Sequence, residues 1–181
     1  VLDDSVKDNM IKTIENARNE NNSVGGILET AVVGLPVGVG EPWFDTVEGV
    51  LSHAVFSIPA VKGIEFGAGF KFAEMTGSEA NDEFEIDDNK VVTRTNSNAG
   101  INGGITNGMP VVFKTVIKPT PTISKPQSTV DFLKKENTEI CAGGRHDPCI
   151  VHRARVVIDS VTALALCDLL AVKFGTDWLA K

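Results

Sequence analysis

Between Cys141 and Val157 the sequence reads CAGGRHDPCIVHRARVV, placing three arginines, two histidines, an aspartate, two cysteines and a glycine pair in one short run. That mixture suits anion binding and proton transfer. Arg145 can fork onto an anion, Asp147 can act as a base or orient a histidine, and His146 can exchange a proton near neutral pH. Pro148 fixes the backbone just before an apolar segment. The same residues also allow a purely structural role, in which Asp147 caps the next helix and Arg145 pairs with an acidic cluster.

Two further segments invite a ligand. In KPTPTISKP, residues 118–126, a lysine ends a strand and a proline-stiffened stretch follows with threonines and a serine. A cation and hydroxyls on a rigid backbone suit a phosphate or a polar heterocycle, although a solvated connection would look the same. In NAGINGGITNG, residues 98–108, glycines allow close backbone approach, and free N–H groups can cradle a phosphate or a ring edge. The run is neither a dinucleotide fingerprint nor a P-loop, and spacing alone favours a hairpin whose turns need positive φ. Together the three segments suggest a pocket for a phosphorylated ligand.

Elements must position these segments. Residues 3–21 read as an amphipathic helix, with Val6, Met10, Ile14 and Ala17 near helical spacing and Asp3, Asp4 or Ser5 as caps. SVGGILETAVVGLP reads as a strand, FDTVEGVLSHAVFSI as a helix with Asp45 as its cap, and VKGIEFG as a strand. The acidic run GSEANDEFEIDD reads as an exposed excursion, and KVVTRT as a short strand. VVFKTVIKP is the clearest strand, with Val111, Phe113, Thr115 and Ile117 alternating against Val112, Lys114, Val116 and Lys118. STVDFLKKENTEI is predicted extended, with a short helix as the alternative, and VHRARVVIDSVTALALCDLLAVKFG a long, mostly apolar helix lying in the core. Helices and strands do not alternate strictly, which points to an α+β fold with mainly antiparallel strands.

The composition, 42% hydrophobic and 23% charged over 181 residues, is that of a globular protein. No apolar run reaches the roughly 20 residues that span a bilayer, and no signal peptide is visible, so no membrane partner and a cytoplasmic location are expected. A net charge of −7 argues against general nucleic-acid binding. Three cysteines without a C-x-x-C pair are expected to be reduced thiols packed as small hydrophobes. His146, Cys149 and His152 match no zinc spacing, so no metal is expected.

Several of these stretches, taken in order, resemble one family. SVGG, GLPVGVGEPWFD, SIPAVKGIEFGAGF, AGINGGITNGMP, KPTPTISKPQ and GRHDPCIV followed by an alanine-rich helix closely resemble the second half of chorismate synthase and cover nearly the whole chain. The resemblance implies a β-α-β sandwich, with helices packed between mainly antiparallel sheets, assembled as a homotetramer. It implies a lyase that converts 5-enolpyruvylshikimate 3-phosphate to chorismate by 1,4-anti elimination of phosphate, with reduced FMN and no net redox change. Carried over by motif, the flavin contacts fall on Pro59 and Ala60, on Gly103, on Lys118, Pro119, Thr120, Pro121 and Thr122, and on Arg145. Asp147 matches the aspartate proposed to handle a proton with flavin N5.

This sequence departs from the family pattern in places. Ala80 stands where a histidine is common, Ala99 where a glycine is usual, and His152 where a proline is usual. The GESHG, RPGHAD and RSSARETA motifs of the family's first half do not occur. Residues 1–181 are therefore expected to be a C-terminal, flavin-side portion of the family domain, a partial copy inactive by itself. The alternative is a non-catalytic FMN- or phosphate-binding module, or a self-associating one.

Overall fold

In the computed structural model, which describes residues 3–176, the chain forms two compact units. One comprises the chain up to Gly26 together with Ile117–Ala154; the other comprises Ile27–Val116 together with the chain from Arg155 onward. Along the sequence the main elements are α1 (Lys7–Asn19), β1 (Gly26–Val32), α2 (Val47–Phe56), β2 (Val61–Phe66) and α3 (Gly77–Ala80). Then come β3 (Phe84–Asp87), β4 (Lys90–Thr93), β5 (Ile101–Asn102), β6 (Ile105–Thr106) and β7 (Val111–Ile117). The last are β8 (Gln127–Asp131), β9 (Glu136–Ile140) and α4 (Val151–Phe174). This is the expected α+β mixture.

The second unit rests on a three-stranded sheet in the order β1, β7, β2. Its middle strand β7, whose last residue Ile117 belongs to the first unit, buries Val111, Phe113, Thr115 and Ile117, as the alternation predicts. Helix α2 packs against β2 and buries Val47, Leu51 and Val55, spaced four apart on one stripe. Each such side chain, fully buried, contributes about 1.5–3 kcal/mol. Thr46, not Asp45, caps α2: its hydroxyl accepts the Gly49 N–H at 2.9 Å. Thr46→Ala is expected to cost about 1 kcal/mol in thermal unfolding, and Asp45→Ala clearly less.

The acidic run forms α3 and β3, and β3 pairs antiparallel with β4, the short strand expected in KVVTRT, with Phe84 opposite Thr93. Both faces of β3 are exposed, in keeping with an exposed excursion. Arg94 forks onto Glu83 at 3.0 Å and Glu85 at 2.8 Å. One member of the cluster, Asp82, is buried instead of exposed.

Helix α4 has the predicted extent but not the predicted burial. Ile158, Thr162, Ala165, Leu166 and Leu169 are buried, while Val156, Val157, Leu164 and Val172 are exposed. A helix apolar on every side does not announce which stripe will find a partner. Among the described residues no helix is long and apolar enough to cross a membrane.

In the first unit α1 is less buried than its spacing suggests: Ala17 is buried, Ile14 is half-buried, and Val6 and Met10 are exposed. Asp3 caps a 3₁₀ turn ahead of α1 by accepting the Ser5 N–H at 2.8 Å. The stretch read as extended is the antiparallel hairpin β8–β9, with Gln127 opposite Ile140. Of the cysteines only Cys149 is buried; Cys141 and Cys167 are exposed free thiols.

Candidate functional site

In the first unit the KPTPT and GRHDP segments are tied together by residues that sequence reading left aside. The Ser23 hydroxyl donates to the Thr120 carbonyl at 2.6 Å, and the Val24 N–H donates to the Pro148 carbonyl at 2.8 Å. Two adjacent residues thus hold both candidate segments. A second tie lies further along, where the Ser124 hydroxyl donates to the Ala142 carbonyl at 3.2 Å and a ring nitrogen of His146 lies 3.3 Å from the same oxygen. Each such bond contributes about 1 kcal/mol.

Gly25 makes the arrangement possible by close approach. A Cβ there would lie 2.2 Å from the Ile117 carbonyl oxygen and 3.0 Å from Pro119. Only a residue without a side chain lets the chain pass the end of β7, where KPTPT begins.

The charges fall as follows. Lys118 and Arg145 are exposed, and among the described residues neither has a carboxylate within ion-pair distance. Within the second unit, Glu83 and Glu85 of the acidic hairpin are taken by Arg94. Asp147 accepts a hydrogen bond at Oδ2 from Arg153, in the first turn of α4, in a half-exposed ion pair. Thr120 Oγ1 is buried without a hydrogen-bond partner among the described residues. A buried hydroxyl left unpaired is costly and calls for a reason.

The second unit carries Pro59, Ala60 and Gly103. Ala60 has φ +75°, a left-handed conformation that a residue with a Cβ rarely adopts and that tends to occur at functional turns. Gly103 and Gly104, with φ +59° and +88°, form the two-residue tip of the β5–β6 hairpin. Successive positive φ values are what such a tight hairpin requires. The Gly104 carbonyl accepts the Val47 N–H at 3.0 Å, which pins the tip to the start of α2. Gly103 is exposed with open space where a Cβ would be. Pro59 and Ala60 follow the other end of α2, a helix about 15 Å long, so the structure does not set them beside Gly103.

The base of this hairpin is held by Asp82. Its Oδ1 accepts from the Thr95 hydroxyl at 2.6 Å and the Ser97 N–H at 2.7 Å, and its Oδ2 accepts the Asn98 N–H at 2.8 Å. Burial pushes this carboxyl up, but donation from Thr95, Asn98 and Ser97 outweighs it, so its pKa lies below the ordinary 3.8. The stabilisation is complete above that ordinary value and is lost as pH falls through the lower folded value.

The chorismate synthase family model matches residues 1–171. The chain is 49% identical over 179 residues to a chorismate synthase of Pyrococcus abyssi, covering 99% of this chain and 50% of the relative. It is 50% identical over 159 residues to that of Korarchaeum cryptofilum, covering 88% of this chain and 44% of the relative. A crystal structure of chorismate synthase superposes with a TM-score of 0.75 at 29% identity, covering 94% of this chain and 44% of that one. The chain thus spans about half the length of the curated relatives it matches. With sequence match, fold and ordered motifs in agreement, the chain belongs to the chorismate synthase family.

Proposed function

We propose that this chain is the flavin-side portion of a chorismate synthase. With the rest of the family fold it would convert 5-enolpyruvylshikimate 3-phosphate to chorismate by 1,4-anti elimination of phosphate, with reduced FMN as cofactor. The observation that carries this reading is the tie from Ser23 and Val24 to Thr120 and Pro148, which holds a cation-and-hydroxyl segment against an arginine-and-aspartate segment. A cytoplasmic, homotetrameric assembly without nucleic acid or membrane partners belongs to the same proposal.

The residues present fit a reduced flavin. It is anionic, and Lys118 and Arg145 supply exposed positive charge in one unit. The orphaned Thr120 Oγ1 offers a hydrogen bond that no described protein group takes. Pro119, Pro121 and Thr122 would form the stiff wall of that segment, and Pro59, Ala60 and Gly103 would present backbone to the cofactor. The chemistry a bound reduced FMN supplies is electron density to the substrate as phosphate leaves, returned by the end of the turnover.

The protein groups do the rest. Arg145 and Lys118 would steady the negative charge of the bound cofactor. Arg153 occupies Oδ2 of Asp147, which leaves Oδ1 as the atom that holds the mobile proton. The ion pair also orients the carboxyl, so that the proton is held at one defined position.

Anaerobic chorismate formation tests the reading. Activity is expected when this chain is mixed with the first half of the family sequence, and none with either alone. A mixture that neither binds FMN nor forms chorismate would overturn it.

A further inference from the structure

We propose that Asp82 is a positioning residue for the cofactor loop: it fixes the turn 95–98 and thereby presets the Gly103–Gly104 tip for its ligand. This rests on the flavin-binding reading above and deepens it. Asp82 lies in the acidic run, yet it is 5% exposed, and all three of its bonds reach across 13 to 16 residues into the segment leading to β5.

The turn it holds is strained and closely enclosed. Ala99, fully buried, has φ +58°, and a conformation so unfavourable for alanine persists only where its surroundings enforce it. Asp82 supplies that enforcement from one side by fixing the two preceding amides, those of Ser97 and Asn98. The Ser97 carbonyl in turn accepts the Ala68 N–H at 2.8 Å, and the Asn96 side chain donates to the Pro110 carbonyl at 2.8 Å. From there the path to the tip is short: the Ile101 N–H donates to the Asn98 carbonyl at 3.1 Å, and β5 follows directly. A tip set in advance pays less ordering entropy when a ligand binds, so its affinity is higher.

The test uses Asp82→Asn and the milder Thr95→Ala, which removes one of the three bonds. Asn keeps the size but presents an N–H to at least one of the donors that Asp82 accepts. Hydrogen–deuterium exchange is measured on this chain, and oxidised FMN is titrated into the mixture with the first half of the family sequence. Exchange across residues 95–107 is expected to rise at least about tenfold in Asp82→Asn, while β7 is unchanged; the loss of a charge-assisted bond has that order of effect. FMN affinity is expected to fall about tenfold, with turnover at saturating flavin preserved within about threefold. Thr95→Ala should show the same locality to a lesser degree.

Exchange that rises uniformly in both variants would make Asp82 a general stabiliser and overturn the proposal. Local loosening with unchanged FMN affinity would overturn its link to the cofactor. Should the wild-type mixture bind no FMN, the functional reading itself fails and takes this role with it.

Discussion

Gly25→Ala is expected to destabilise the chain by about 3 kcal/mol, at the upper end for forcing atoms into a packed site. At this size that is a drop of roughly 10 °C in melting temperature. The magnitude follows from what the new Cβ would meet. At 2.2 Å it collides with the Ile117 carbonyl, which is backbone, and at 3.0 Å with the Pro119 ring, which is rigid. Neither neighbour can swing aside as the end of a long side chain would. Gly143→Ala is the control, since that position has open space and no positive φ, and it should leave stability within about 0.5 kcal/mol.

The effect should reach the candidate site as well. Ser23 and Val24, next to Gly25, hold Thr120 and Pro148, so displacement at position 25 loosens both segments at once. Thermal unfolding and FMN titration of the same variant measure the two consequences. A Gly25→Ala chain as stable as the control would show that this crossing is not as tight as the distances indicate.

Asp147→Asn is expected to lower turnover in the reconstituted mixture by about 10²- to 10³-fold, with FMN affinity kept within about threefold. Asparagine preserves shape and still accepts from Arg153, but it cannot hold the mobile proton, and loss of a positioned acid–base group has this order of effect. Stability cannot be the cause. The Asp147–Arg153 pair is roughly half exposed, at 43% and 59%, so it contributes at most about 1 kcal/mol to folding. A 10²-fold rate loss needs about 2.7 kcal/mol in the barrier. Arg153→Ala, which removes the partner but not the carboxyl, should slow turnover far less. Full activity in Asp147→Asn would remove the aspartate from the mechanism.

The parts of this structure legible in the sequence are those governed by local pattern. β7 alternates because one of its faces is buried, and the register read from Val111 to Ile117 is the one observed. α2 shows its stripe for the same reason. The bounds of α4 were legible, but its orientation was not, since every side of it is apolar. The candidate cofactor segments were visible through residue type and family resemblance.

What holds those segments was hidden. Ser23 meets Thr120 across 97 residues, and no spacing rule reaches so far. Asp82 sits among five other acids, and only a fold that buries it distinguishes its carboxylate from theirs. Both residues are ordinary in sequence and become specific only through long-range hydrogen bonds.

The β8–β9 hairpin bears on how the protein behaves in concentrated solution. Among the described residues it is a two-stranded sheet with nothing paired to either side, so it offers two templates for adding strands. Its strands carry Asp131, Glu136 and Glu139 and no lysine or arginine. Lys134, in the turn, lies 4.0 Å from Asp131, so Glu136 and Glu139 are the like charge that an approaching second copy meets. Repulsion between like charges opposes such pairing, and added salt shortens its range. Crowded, salty conditions are where this molecule is most inclined to stick to itself.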